Sequence, residues 1–174
     1  MRSELLPVVV GAVVMFVLQV VLAPNVALFS AMPNFLVVYV LVVAMVRPGL
    51  SLYVLAFVLG LLSDLVGYGP VGAMPFLLIL ASFVVSRAFA LLNNDTVFVP
   101  LALFVAADFA VELLYAAFLI GLGLTDSVVD ALVYRALPCA LYSTVVGLVA
   151  YPACRHFMAS ETISDVHTAT PRFR

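Results

Sequence analysis

Six apolar segments, separated only by short breaks, make up most of this 174-residue chain, and they constrain its fold more than any other feature. A helix that crosses a membrane needs roughly 20 mostly apolar residues, and each segment reaches or approaches that length. The breaks carry turn formers or charged residues and are short, so consecutive helices are expected to run antiparallel. The predicted spans are residues 5–23, 31–46, 50–66, 74–92, 97–124 and 131–152.

Composition sets the class of protein. The chain is 67% hydrophobic and only 9% charged, whereas a soluble domain carries about 25% charged residues. It could not cover a water-facing surface with polar groups, so we predict an all-α integral membrane protein. We predict a six-span transmembrane domain over residues 1–154 and a short polar tail over 155–174. The seven basic residues are scattered arginines, which is not the basic surface that binds nucleic acid.

Two of the predicted spans have unusual lengths. The apolar run at 5–23 is longer than the core of a secretory signal, about 7–15 residues, so it is read as a retained span. In the second segment, residues 34–46 would reach only about 20 Å as a helix, short of a hydrocarbon core of about 30 Å. We therefore expect an irregular or tilted span that starts near Pro33, a residue suited to a first helical turn, or a re-entrant piece at residues 26–33.

The distribution of arginines predicts the orientation. Short cytoplasmic loops carry an excess of basic residues. Six spans with an internal N-terminus leave only Arg135 outside, and both termini are then cytoplasmic. The arginines predicted on the cytoplasmic side are Arg2, Arg47, Arg87, Arg155, Arg172 and Arg174.

Two carboxylates near the middle of the fifth predicted span require an explanation. Asp108 and Glu112 are four residues apart and share one helix face, and an unpaired charge at that depth costs at least about 2.5–3.5 kcal/mol. Arg135, one turn into the sixth span, is expected to pair with Glu112. Asp108 must then be protonated, exposed to a hydrated cavity, or hydrogen-bonded to a nearby polar group. The candidate groups are Tyr142, Ser143 and Thr144.

Three interpretations of this polar group stay open. It can be a structural cluster that fixes helix packing, the polar floor of a pocket that receives a partner or lipid, or a proton or ion site of a transporter. Asp64 has two interpretations. It either stops the third helix in headgroup water or faces inward, where Gly60, one turn back, would let a neighbouring backbone approach.

Other residues carry little chemistry. Pro138 removes a backbone hydrogen bond inside the sixth predicted span, so a kink is expected there. Two cysteines, Cys139 and Cys154, are too few for a disulfide framework or a zinc site. His156 and His167 have no companions at metal-ligand spacing. With no nucleophile–base pair and no phosphate loop, we predict no enzyme activity, no metal and no cofactor.

A set of short motifs carries a family resemblance, most clearly over residues 33–72. The features are a Pro-polar pair (Pro33, Asn34), a basic turn (Arg47, Pro48, Gly49), a Gly-x-x-x-Asp helix end (Gly60, Asp64), a later glycine (Gly72), an aspartate in the fifth span (Asp108) and a Tyr-Pro before a basic end (Tyr151, Pro152, Arg155). Together with the length and span number, these resemble the rod-shape-determining membrane protein family MreD. Glu112 has no place in these motifs, and the tail, with Glu161 and Asp165, is less basic than is common in the family.

The resemblance implies a non-enzymatic scaffold of the bacterial cell-elongation machinery in the inner membrane. Its expected partners are the single-span protein MreC and, in the wider complex, the peptidoglycan synthases and the MreB filament. MreD-like proteins are also similar in fold to the S-components of energy-coupling-factor transporters. That similarity implies an S-component-like bundle whose pocket would hold Asp64, Asp108, Glu112 and Arg135. It also supplies the alternative function, binding of a vitamin-type solute; self-association is left open.

Overall fold

The structure is a computed structural model. It describes residues 2–27, 32–67, 69–92, 98–124, 129, 133 and 136–168, with side-chain positions for those between 5 and 153. Within these ranges the protein is all-helical, with six helices and no strand. The helices are α1 (Arg2–Asn25), α2 (Phe35–Val46), α3 (Leu50–Val66), α4 (Ala73–Leu91), α5 (Phe98–Gly121) and α6 (Leu137–Thr168). The predicted all-α class is confirmed, and α3 has the predicted bounds.

The shortest helix, α2, is the centre of the fold. It contacts each of the other five helices, and eleven of its twelve residues, Phe35 to Met45, are buried. A helix that is apolar on every side belongs in an interior, and α2 is such a helix. At 12 residues it is about 18 Å long. The unusual second segment is therefore a short helix enclosed by the others, beginning after Pro33 and Asn34.

The outer helices differ in length. By length and composition, three of the described helices can cross a membrane: α1 over Leu5–Asn25, α4, and α5. The other apolar stretches, Phe35–Val46, Leu50–Val66 and Leu137–Ala153, are shorter. α1 is largely exposed, with only its inner stripe, including Val8 and Ala12, buried against the core. The six-span topology and its orientation remain predictions.

α6 differs most from its predicted segment. It begins at Leu137, directly after Ala136, which has π-helical backbone. The kink at Pro138 stays a prediction, because most of the preceding turn lies outside the described residues. At its other end α6 continues through Pro152 to Thr168. Its 32 residues correspond to about 48 Å, longer than the hydrocarbon core of about 30 Å.

Candidate functional site

A buried polar cluster surrounds the N-terminus of α2. We call it the α2-start cluster, and its members come from three helices, α1, α5 and α6, and one cap residue. At its centre is Asn34, the N-cap of α2, whose Oδ1 accepts the N–H of Val37 at 3.3 Å. This is the usual way in which a short polar side chain satisfies one of the free N–H groups of a first helical turn. The members are Gln19, Asn34, Asp108, Glu112, Ser143 and Thr144.

Side chains of α1 and α6 satisfy further N–H groups at this helix start. The Phe35 N–H donates to Gln19 Oε1 at 2.8 Å, and the Asn34 N–H donates to Ser143 Oγ at 2.9 Å. A helix end buried in an apolar interior has no water to satisfy its N–H groups, so side chains must do so. The α2-start cluster therefore allows a helix to begin inside the bundle.

Three consecutive polar residues of α6 contact three different parts of the chain. Tyr142 donates its hydroxyl to the Val26 carbonyl at 2.8 Å, beyond the end of α1. Ser143, fully buried, accepts the Asn34 N–H. Thr144 donates from Oγ1 to Asp108 Oδ2 at 3.2 Å. Successive helical residues point about 100° apart, so one turn of α6 joins α1, α2 and α5.

Both carboxylates of α5 point into the interior. Asp108 has no exposed surface and Glu112 is 6% exposed. Glu112 Oε1 lies 3.5 Å from Asn34 Nδ2, at the outer limit of a hydrogen bond, and so faces the positive end of α2, where a negative charge is stabilised. Thr144 is the partner found for Asp108 among the three α6 residues proposed from the sequence. Arg135 lies outside the described residues, so its pairing with Glu112 stays a prediction.

Asp64 belongs to a second structure, the α3–α4 hairpin. It is 3% exposed, and its Oδ2 accepts the N–H groups of Gly72 at 2.7 Å and Met74 at 3.3 Å. Gly72 is the N-cap of α4, with a positive φ of 103° that a glycine adopts without strain. Asp64 is therefore a buried side chain whose carboxylate caps the following helix.

Gly60 makes the close helix contact that this hairpin needs. A Cβ atom placed on Gly60 would lie 2.6 Å from the Cα and N atoms of Pro75, at the start of α4. Any side chain here would force the two helices apart. Gly60, Asp64 and Gly72, three of the residues behind the family resemblance, thus form one structural unit.

The structure brings together part of what the sequence singled out. Asn34, Asp108 and Glu112 meet in the α2-start cluster, whereas Asp64 caps α4. Sequence reasoning missed Gln19, although a glutamine within an apolar span already indicates a required hydrogen bond. One carboxylate oxygen of Asp108 and one of Asp64 are buried without a hydrogen-bond partner in the described part of the chain. The buried carboxylates, amides and hydroxyls provide hydrogen bonds and charge, which can fix the packing of helices or bind a polar group.

These features define a multi-pass, all-helical membrane protein with polar groups buried between its helices. A family model described as rod shape-determining protein MreD matches residues 2–160. The chain belongs to this family, a family of structural, shape-determining membrane proteins. Searches of the curated proteins and of the solved structures each found no match. The likeness to S-components stays a prediction, and no finding supports the vitamin-binding alternative.

Proposed function

We propose that this protein is a scaffold of the cell-elongation machinery that binds an MreC-type single-span protein in the inner membrane. Through that partner it helps couple peptidoglycan synthases outside the membrane to the MreB filament inside. The observation that carries the proposal is the family match, which covers residues 2–160 and assigns the chain to rod shape determination.

The buried hydrogen bonds between the helices support the proposed scaffold role. Several of its buried side chains hydrogen-bond to one another or to the backbone of α2 and α4, and the carboxylates of α5 contact a hydroxyl and an amide. Such contacts orient helices, and a rigid set of helices can present a fixed surface to another membrane protein. We propose six spans with both termini in the cytoplasm, and the α2-start cluster as the polar floor beneath the partner's binding site.

Co-purification tests the proposal directly. The tagged protein would be extracted in mild detergent together with the MreC-type protein of the same bacterium, and the ratio of the two chains measured after size exclusion. A stable complex with the wild-type protein supports the scaffold. Recovery of the wild-type protein without that partner, but with a small molecule bound, would contradict it in favour of solute binding.

Two aspartate variants then locate the binding site. Asp108→Asn changes the α2-start cluster, and Asp64→Asn changes the α3–α4 hairpin; each replaces one buried carboxylate with an amide of similar size. If the cluster lies beneath the partner's site, Asp108→Asn lowers the recovered partner and Asp64→Asn does not. Equal recovery with both variants would place the partner elsewhere on the surface. A folded elution profile is required of each variant.

A further inference from the structure

An apolar groove runs along the outside of the bundle between α1 and α3. Its walls are residues 5–16 of α1 and 51–62 of α3, and its cavity volume is about 480 Å³, within the usual range for ligand pockets of about 300–1,000 Å³. Every lining residue is apolar except Ser51. The two helices touch only slightly along this line, and both pack against α2.

The width of the groove selects its occupant. Eleven helical steps give a length of about 17 Å, so the atom-free space of about 1040 Å³, which includes the open side of the groove, corresponds to a slot about 9 Å wide. An α-helix with its side chains is about 10–12 Å across and does not fit inside such a slot. An unbranched hydrocarbon chain does, because its carbons contact their neighbours at about 3.5–4.0 Å.

The two ends of the groove differ in charge. Tyr39 in α2 bonds to the Val8 carbonyl and the Phe35 N–H bonds to Gln19, so α1 and α2 are antiparallel. The three-residue turn from Arg47 to Gly49 reverses the chain again into α3. α1 and α3 are therefore parallel, and Ser51 and the half-buried Arg47 lie toward the same end of the groove. The opposite end, at Phe16, is apolar.

We propose that the groove between α1 and α3 binds one acyl chain of an anionic phospholipid, whose phosphate lies at the Arg47 turn. A chain that runs from Ser51 towards Phe16 fills the slot, while the headgroup stays at the charged end. The bilayer supplies this ligand, so the inference is independent of the partner proposed above. One arginine near the lipid headgroups favours binding of an anionic lipid over a neutral lipid by about fivefold.

The chain contains no tryptophan, so the fluorescence of an introduced tryptophan reports on one known position. Phe16→Trp places one indole in the groove, and Phe57→Trp places one on α3 at an exposed position that does not line it. Each protein would be reconstituted in vesicles that contain either brominated phosphatidylglycerol or brominated phosphatidylcholine at the same mole fraction. The tryptophan at position 16 should report about a fivefold higher apparent affinity for the anionic lipid, and the one at 57 should report no preference.

Arginine variants assign the headgroup contact. In the Phe16→Trp protein, Arg47→Gln should abolish the lipid preference. Arg87→Gln should leave it unchanged, because Arg87 lies on α4 with its guanidinium carbon 5.7 Å from the Phe83 ring. Equal quenching by both lipids at position 16 would overturn the proposal, since it would show ordinary bilayer contact. Absence of quenching would also overturn it, since protein would then cover the groove.

A second measurement uses the tryptophan-free protein. Val9 lines the groove, whereas its neighbour Val10 faces outward and is exposed to a similar degree. After purification in mild detergent with added phosphatidylglycerol, native mass spectrometry should detect one bound lipid with the wild-type protein and with Val10→Phe. Val9→Phe, which puts a ring into the slot, should lose most of it. Equal retention by the two variants would contradict the groove as the binding site.

Discussion

The Asp64 carboxylate accepts the Gly72 N–H at 2.7 Å and so ties the end of α3 to the beginning of α4. The bond joins a buried side chain to the backbone of an N-cap glycine that has a positive φ. A carboxylate at this position satisfies free N–H groups and complements the positive end of the α4 dipole. The geometry of the hairpin therefore depends on one side chain of α3.

Replacing Asp64 should destabilise the protein measurably. Asp64→Ala leaves the N–H groups of Gly72 and Met74 without their acceptor, at a cost of about 1–3 kcal/mol for each buried group left unsatisfied. Asp64→Asn keeps an acceptor oxygen and should cost less. Thermal unfolding in a single detergent, followed by circular dichroism, checks this order. An unchanged midpoint for Asp64→Ala would contradict the capping role.

Gly60 is the test position for the contact between α3 and α4, and Gly121 is its control. Gly60→Ala should cost about 1–3 kcal/mol, as expected for overpacking, because its Cβ would meet the Pro75 backbone at 2.6 Å. Gly121→Ala, with open space around the new Cβ, should be neutral or slightly stabilising. The same unfolding assay compares them. If both variants unfold at the same temperature, α3 and α4 do not pack as described.

Two buried serines allow a hydrogen bond between two helices to be compared with a hydrogen bond inside one helix. Ser143→Ala removes the acceptor of the Asn34 N–H and should cost about 1–3 kcal/mol, because a buried donor is left unsatisfied. Ser86 donates to the Phe83 carbonyl of its own helix, so Ser86→Ala should cost no more than about 1 kcal/mol. Free energies of unfolding measured with denaturant decide the order. A larger loss from Ser86→Ala would count against the α2-start cluster.

Asn34 and Glu112 should be energetically coupled. Asn34→Ala removes the cap of α2, at a cost of about 0.5–2 kcal/mol, and also removes the amide that faces Glu112. In a double-mutant cycle with Glu112→Ala, we expect a coupling energy of at least about 0.5 kcal/mol. Additive losses would show that the contact between Asn34 Nδ2 and Glu112 Oε1, at 3.5 Å, contributes nothing to stability.

The predicted pair of Glu112 and Arg135 has its own test. If the two side chains neutralise one another, Glu112→Gln combined with Arg135→Gln should be tolerated better than either change alone, because each single variant leaves an unpaired charge in the membrane and the double variant leaves none. The yield of folded protein and the restoration of rod shape in a deletion strain provide two readouts. A double variant no better than the worse single one would exclude the pairing.

Several parts of the candidate site were readable from the sequence because they depend on local order along the chain. Gly60 and Asp64 lie one turn apart on α3, so their shared face followed from helical spacing. The acids of α5 required a partner because of the cost of a charge in a membrane, and Thr144 was among the groups named. The contact of Glu112 with Asn34 does not follow from the sequence, since 78 residues separate them and no helical period relates them.

The amino-acid sequence by itself determined the membrane class, the approximate positions of α1 to α5 and the family, because apolar run length, turn residues and motifs are local properties. Only the tertiary structure decided that α2 is the enclosed central helix and that the polar groups of α1, α5 and α6 converge on its start. The physical reason is that lipid and protein interior both select apolar side chains. The sequence of a uniformly apolar helix therefore does not reveal which of the two surrounds it.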